Sequence, residues 1–225
     1  MFDIFRKYAQ NSTKAKQNMT IYELRGHMKE FTVFSVRDIL KVDPAFHRRR
    51  LNEWQDKGYI RKVVKGFYIF SDLELDEWAL FEIANRIYKP SYVSLESALA
   101  HYQLIPESAY GITSVSTRRT YRFSSEIAGF RYQTVRPGLF SGYDLVARGP
   151  RKVKIARPEK AVLDLLYLNP RLRTDRDFDG LRFHGDRFSQ MVNDRTYRAA
   201  AARFAQKTLI VKAERFLAYL RRGDD

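Results

Sequence analysis

The sequence predicts an α+β protein with two domains, and three observations point to this fold class. Apolar side chains recur at helical intervals between residues 20 and 57, and two β-prone runs follow at 59–64 and 67–70. Strand-like alternation returns in the second half, before a helical tail. We therefore expect a first domain over residues 1–72 and a mixed α/β domain with a helical tail over residues 73–225.

Basic charge is in large excess. The chain has 41 Lys and Arg residues against 26 Asp and Glu, which gives a formal net charge of +15. Residues 20–70 hold 11 basic and 6 acidic side chains and residues 111–170 hold 11 and 4, whereas residues 71–110 hold 2 and 7. This distribution favours a polyanionic partner, most simply nucleic acid. A basic surface that serves only solubility is the alternative.

Several classes of protein are disfavoured by composition. The chain has no cysteine, which excludes disulfides and thiolate zinc sites. We also expect no cofactor. No stretch approaches the ~20 apolar residues that span a bilayer, and the N-terminus lacks the apolar core of a signal peptide. We therefore expect a soluble, cytoplasmic protein without a membrane partner. No metal site is expected either, because the histidines lie far apart, at His27, His47, His101 and His184.

Three helices are predicted in the first domain. The first covers residues 20–31, where Thr20 and Glu23 have the spacing of a capping box. The second runs from Val36 to Leu40 with Ser35 as its N-cap.

The third predicted helix starts at Asp43 and Pro44, runs to about Lys57 and stops at Gly58. We expect His47 to pack against the other helices rather than bind a ligand. One face of the helix carries apolar side chains, at Phe46, Leu51 and Trp54, and the other carries Arg48, Arg49, Asn52 and Gln55. Arg, Asn and Gln are suited to base edges and phosphates in a major groove.

The β-prone runs around Lys65 and Gly66 predict a hairpin. Three helices followed by a hairpin are typical of a winged helix-turn-helix, in which the third helix enters the major groove. The hairpin, or wing, is then expected to approach the DNA backbone through Arg61, Lys62 and Lys65. Arg37 of the second helix is also expected to contact a phosphate. A winged helix that binds protein and only exposes its basic residues to solvent is the alternative.

The second domain is predicted to begin with two helices, over residues 75–88 and 94–103, with Ser94 as the N-cap of the second. Strands are expected at 111–117, 130–136 and 151–156, and Arg157 and Pro158 start another helix. Further helices are expected from Asp186 onwards.

Three segments carry a family resemblance: PSYVSLESALAHYQLIP (90–106), TSVSTRR (113–119) and KIARPEKAVLDLL (154–166). Their order behind a winged helix resembles the AbiEi antitoxins of type IV toxin–antitoxin systems, which are linked to abortive phage infection. The turn His-Tyr-Gln-Leu at residues 101–104 departs from the His-Gly-Leu of that family. The match depends mainly on Tyr92, Ser94, Ser97, Ala98 and Leu99, and on Arg157, Pro158, Glu159, Leu163 and Asp164.

The resemblance implies a transcriptional repressor of its own operon that binds promoter repeats in double-stranded DNA through the winged helix. It also implies an antitoxin that counteracts a nucleotidyltransferase-like toxin, whether by direct contact or through repression alone. Promoter repeats call for two copies of the protein on the DNA, or for a monomer that binds each repeat separately.

An enzyme is not expected. Ser94 and Ser97 lack a His–Asp partner, and Glu159 and Asp164 lie ~140° apart on one helix. One alternative is a metal-dependent nuclease with Asp144 and Glu159 at its centre. Another is a protein-interaction module whose basic surface binds an acidic partner.

Overall fold

The computed structural model describes residues 19–106, 111–149 and 151–222, and it is a mixed α/β structure with two sheets. Its contacts divide the chain into two compact units, Met1–Leu73 and Glu74–Asp225, which we call the N-terminal unit and the C-terminal unit. Across the described ranges, no helix is both long enough and apolar enough to span a membrane.

From residue 19 onwards, where the structure describes it, the N-terminal unit has three short helices and one small antiparallel sheet. The strand order is β1-β3-β2. In chain order the elements are α1 (Ile21–Met28), β1 (Phe34–Ser35), α2 (Val36–Val42), α3 (Arg49–Asp56), β2 (Ile60–Val64) and β3 (Phe67–Phe70).

Side-chain caps fix the starts of the first two helices. The backbone N–H of Glu23 donates to the Thr20 hydroxyl at 3.2 Å, and the Glu23 carboxylate accepts from the Thr20 N–H at 2.6 Å, so the predicted capping box is confirmed. Ser35 caps α2 as predicted and forms a second capping box with Asp38. Gly58 ends α3 as predicted, at a φ of 69°.

The predicted start of the third helix is wrong. The Asp43 carboxylate accepts from the Ala45 N–H at 3.0 Å, and the Asp43 carbonyl accepts from the Phe46 N–H at 3.1 Å. An aspartate that bonds the backbone two residues on closes a turn rather than a helix. Residues 43–48 therefore connect α2 to α3, which begins at Arg49.

Apolar faces of the helices and the sheet form the core of the N-terminal unit. Phe34 packs 4.9 Å from Phe70 between ring centres, and Phe46 packs 5.5 Å from Trp54. Phe46 thus contributes to the core although it lies outside the helix. The expectation that His47 packs against the helices is wrong, because its side chain is exposed.

The C-terminal unit contains a six-stranded mixed sheet in the order β6-β7-β5-β4-β9-β8. Its β elements are β4 (Ser91–Val93), β5 (Ile112–Ser116), β6 (Tyr121–Ser124), β7 (Gly129–Thr134), β8 (Tyr143–Arg148) and β9 (Arg151–Ala156). Its helices are α4 (Glu77–Ile87), α5 (Leu95–His101), α6 (Pro158–Leu168), α7 (Asp175–Asp179), α8 (Gly185–Met191), α9 (Asp194–Ala202) and α10 (Lys207–Arg222), and a 3₁₀ turn lies at Pro137–Leu139.

The predicted strands correspond to β5, β7 and β9, whereas β4, β6 and β8 were not expected. Strands β6 and β8 form the two edges of the sheet, and most of their residues are exposed on both faces. The sequence of β8, YDLVAR, lacks the alternation of apolar and polar residues that identifies a half-buried strand. The sequence of β6, YRFS, alternates, but over four residues only. Strand β4 is only three residues long and is fully buried, so it shows no alternation either.

Strands β5 and β7 are parallel and come very close at one end. Gly111, just before β5, has a φ of 104°, and a Cβ placed there would lie 2.3 Å from the carbonyl oxygen of Gly129. Only glycine fits this position without a shift of the backbone.

We expect Gly111→Ala to lower the free energy of unfolding by at least about 2 kcal/mol, because the new methyl group meets backbone and the φ is strained. Urea denaturation followed by circular dichroism measures the change. Gly180→Ala is the control, since its Cβ would have its nearest neighbour at 3.5 Å. Equal stability of the two variants would show that the close approach at Gly111 is not needed.

Candidate nucleic-acid interface

The start of α3 presents basic and amide side chains away from the core. Arg48, Arg49 and Asn52 are exposed, whereas Leu51 and Trp54 are buried. At 100° per residue, Arg48 and Asn52 lie only about 40° apart around the helix axis. These side chains are therefore available to a partner on one side of the helix.

Tyr68 connects the start of α3 with the hairpin. It is the cross-strand partner of Lys62, so both side chains stand on the same face of the hairpin. Burial raises the pKa of Tyr68, and the nearby guanidinium of Arg48 opposes that rise. The charge of Arg48 thus acts on the same tyrosine that Lys62 faces.

A backbone hydrogen bond connects the hairpin turn with the start of α2. The N–H of Val36 donates to the carbonyl of Gly66 at 3.1 Å. Arg37 follows Val36 and Lys65 precedes Gly66, and both side chains are exposed. We call the set Arg37, Arg48, Arg49, Asn52, Lys62 and Lys65 the basic surface.

Most cations of the basic surface have no acidic partner. Arg49 lies 3.9 Å from Glu53, but its side chain is 90% exposed, and such pairs contribute little. The other cations, namely Arg37, Arg48, Lys62 and Lys65, form no ion pair with any residue that the structure describes. Their charge therefore remains available to an anion.

Two predicted contact residues are placed differently. Arg61 is the cross-strand partner of Ile69, so its side chain lies on the opposite face of the hairpin from that of Lys62. The Arg61 side chain is half-buried, and its Nε forms no hydrogen bond with any described residue. Gln55 is half-buried and donates its amide to the Leu51 carbonyl at 3.0 Å. The structure does not bring Arg61 to the basic surface, and it uses the Gln55 donor within α3.

The third arginine of the run has a structural role. Arg50 lies over the Trp54 ring, 5.0 Å from its centre, and donates to the Met19 carbonyl. In the run Arg48–Arg50, the first two side chains are therefore exposed, whereas that of Arg50 connects α3 with the segment before α1.

The predicted role of Ser94 as a helix cap is wrong. Ser94 occupies the N-cap position of α5 but makes no capping hydrogen bond. Its hydroxyl donates instead to Asp164 of α6 at 2.8 Å, and the Tyr92 hydroxyl donates to the same carboxylate oxygen at 2.9 Å. Lys160 donates to the other oxygen of Asp164 and, at 2.9 Å, to the Tyr92 hydroxyl. We call these four residues the buried polar cluster.

The buried polar cluster has no exposed nucleophile. Asp164 is fully buried and Lys160 is 5% exposed. Burial raises the pKa of the Asp164 carboxyl, and the ammonium group of Lys160 opposes that rise. Burial also raises the pKa of Tyr92 far above its usual range, and the Asp164 charge adds to this effect. These donors and the carboxylate satisfy one another, so the cluster fixes β4, α5 and α6 together.

Sequence reasoning missed the role of Lys160. The signal was its spacing of four residues from Asp164, which places both side chains on one face of α6. Ser97 is likewise occupied, because its hydroxyl accepts from the Thr113 N–H at 2.8 Å.

Among the described residues, the carboxylates of the nuclease alternative belong to no cluster of three potential metal ligands. Asp144 is bound by Arg157 at 2.9 Å. Across residues 19–106, 111–149 and 151–222, no three His, Asp or Glu side chains cluster as a metal site would require. Glu159 is buried at the first turn of α6.

Comparison with known proteins identifies no family. No family model matches the sequence, and no curated protein is significantly similar to it. One solved structure that aligns with the chain is that of the RV2827C protein from Mycobacterium tuberculosis, at 13% sequence identity and a TM-score of 0.40. The alignment covers 83% of this chain and 76% of that chain.

We expect removal of one charge from the buried pair to cost about 3 kcal/mol or more, because the other charge is left buried and unpaired. The variants are Lys160→Met, Asp164→Asn and the double variant, in which Asn still accepts from Ser94 and Tyr92. The double variant should lose much less than the sum of the single losses in urea denaturation. Additive losses would show that the two charges do not stabilise each other.

Proposed function

We propose that the N-terminal unit is a winged helix-turn-helix domain that binds double-stranded DNA. In this proposal α3 enters the major groove and the β2–β3 hairpin lies against the DNA backbone. The observation that supports it best is the set of exposed cations on α2, at the start of α3 and on the hairpin, most of which have no acidic partner among the described residues. Lys62 faces Tyr68 across the hairpin, and the charge of Arg48 acts on the same tyrosine.

The side chains of the basic surface suit different parts of a duplex. Arg48 and Arg49 lie at the N-terminal end of α3, the end of a recognition helix that contacts base edges. Arginine pairs with the acceptors of guanine and asparagine with adenine, so Asn52 can add specificity. Arg37, Lys62 and Lys65 then contact phosphates, which gives affinity and register rather than sequence preference.

We further propose that the protein is an autorepressor and an antitoxin, as its resemblance to the AbiEi antitoxins implies. Tyr92, Ser94 and Asp164 are among the residues that carry this resemblance, and they converge on the buried polar cluster although they are up to 72 positions apart. Residues that fix a fold together are what a shared family pattern would contain. The proposed partners are the promoter repeats of its own operon and a nucleotidyltransferase-like toxin.

We expect Arg48→Ala/Arg49→Ala to weaken operator binding at least about 30-fold, because each arginine–base contact contributes about 1–3 kcal/mol. Gel-shift titration against the DNA upstream of the gene, with unrelated DNA as competitor, measures the loss. Lys29→Ala/Lys57→Ala removes the same charge from exposed positions outside the basic surface.

Circular dichroism should show that both double variants are folded. An operator affinity that is unchanged in the folded Arg48→Ala/Arg49→Ala variant would remove α3 as the reading helix. An equal loss of affinity in the control variant would show that DNA binding depends only on the net charge of the protein.

We expect Lys62→Ala and Lys65→Ala each to lower the slope of log affinity against log salt concentration by about 1, because each lysine neutralises about one phosphate. Fluorescence anisotropy at several salt concentrations measures this slope on operator and on unrelated DNA. The affinity loss should be similar on both DNAs, whereas Asn52→Ala should weaken the operator alone. If both lysine variants keep the salt slope of the wild type, the hairpin does not contact the DNA backbone.

A further inference from the structure

A cavity of about 290 Å³ in the C-terminal unit lies outside the basic surface and opens beside the first turn of α6. Three walls enclose it: the loop around the 3₁₀ turn, the start of α6, and one face of α9. Arg195 and Ala199 lie on α9, and Arg203 directly follows its last residue; the three recur at intervals of four, so they share a face. The small alanine between the two arginines leaves the space between them open.

Some of the cations that line this cavity form ion pairs within the chain, and others do not. Arg157 is bound to Asp144, and Lys160 is bound to Asp164 inside the buried polar cluster. Arg195 and Arg203 are exposed and make no ion pair with any described residue. They are therefore the two charges that an incoming anion would meet.

Glu159 is the unusual group in the cavity wall. It is 8% exposed and makes no hydrogen bond or ion pair with any residue that the structure describes. The pKa of Arg157 is raised chiefly by its hydrogen bond to Asp144, and the charge of Glu159 adds a smaller effect. The carboxylate oxygens of Glu159 are not among the fully buried unpartnered atoms of the described residues, so they are open to the cavity. They can therefore accept a hydrogen bond from a ligand there.

The two ends of the cavity therefore require different chemistry. Arginine guanidinium groups are suited to phosphate, with which they form charge-assisted, paired hydrogen bonds. A carboxylate accepts hydrogen bonds and repels phosphate, so the part of the ligand that meets Glu159 must carry an N–H or O–H donor. A cavity of this size is at the lower end of the range for small-molecule sites.

We propose that this cavity binds a small phosphorylated molecule of the sugar phosphate or nucleoside monophosphate class. Its phosphate contacts Arg195 and Arg203, and a hydroxyl or amino group donates to Glu159. This site belongs to the C-terminal unit and does not depend on the proposed DNA binding.

Isothermal titration calorimetry of the full chain tests the proposal with inorganic phosphate, ribose phosphate and nucleoside monophosphates. We expect the ligands with donors to bind more tightly than inorganic phosphate. Arg195→Ala/Arg203→Ala should weaken all of them about tenfold or more, because each variant loses hydrogen bonds to a charged group. Glu159→Gln should weaken the ligands with donors by about tenfold and leave inorganic phosphate unchanged or bound more tightly.

The matched control is Arg171→Ala/Arg182→Ala, which removes two exposed arginines outside the cavity and should leave binding unchanged. Absence of binding by every ligand at millimolar concentration would overturn the proposal. So would an equal loss in the control variant. A third contrary result is an Arg195→Ala/Arg203→Ala variant that binds the small ligands normally but has lost affinity for DNA, which would assign these arginines to a DNA surface.

Discussion

The C-terminal unit depends on the buried pair of Lys160 and Asp164. Two charges removed from water are costly unless each finds a partner and the remaining hydrogen-bonding groups are satisfied. Here Tyr92 comes from β4 and Ser94 from the start of α5, so satisfaction of the carboxylate requires three elements to meet in one arrangement. The same pair holds the first turn of α6, and with it Glu159, at the wall of the cavity.

In the N-terminal unit, the register of the hairpin determines which side chains reach the basic surface. Lys62 faces Tyr68 because the two residues are cross-strand partners, and a bulge follows before Val64 pairs with Phe67. A shift of one residue would exchange Lys62 with Arg61 and bring a half-buried side chain to the basic surface. The bond from Val36 to Gly66 also fixes the turn against α2. The arrangement of exposed cations thus follows from backbone pairing rather than from the number of arginines.

These contacts explain which features could be predicted from sequence. The capping box at Thr20 and the stop at Gly58 are local, so the residues themselves determine them. The start of α3 was missed because Asp43 can cap a helix or close a turn, and the buried position of Phe46 accompanies the turn. The exposure of Arg48, Arg49 and Asn52 followed from helical periodicity. The partner of Ser94 was not predictable in this way, because Asp164 lies 70 residues further along the chain.

The arginine-rich tail shows why net charge alone is a poor guide to function. Arg198 is paired with Glu214, and Arg215 and Arg222 both bind Asp175, so these arginines connect the tail helices to one another. Exposed pairs of this kind contribute little individually, but they neutralise the field that a polyanion would sense. Arg195 and Arg203 form no ion pair with a described residue, and neither do Arg176 and Arg182, but only the first two of these four line the cavity. In the N-terminal unit, Arg48 is exposed whereas Arg50 is engaged with Trp54 and Met19. In both units the functional hypothesis therefore depends on arginines that the fold does not use.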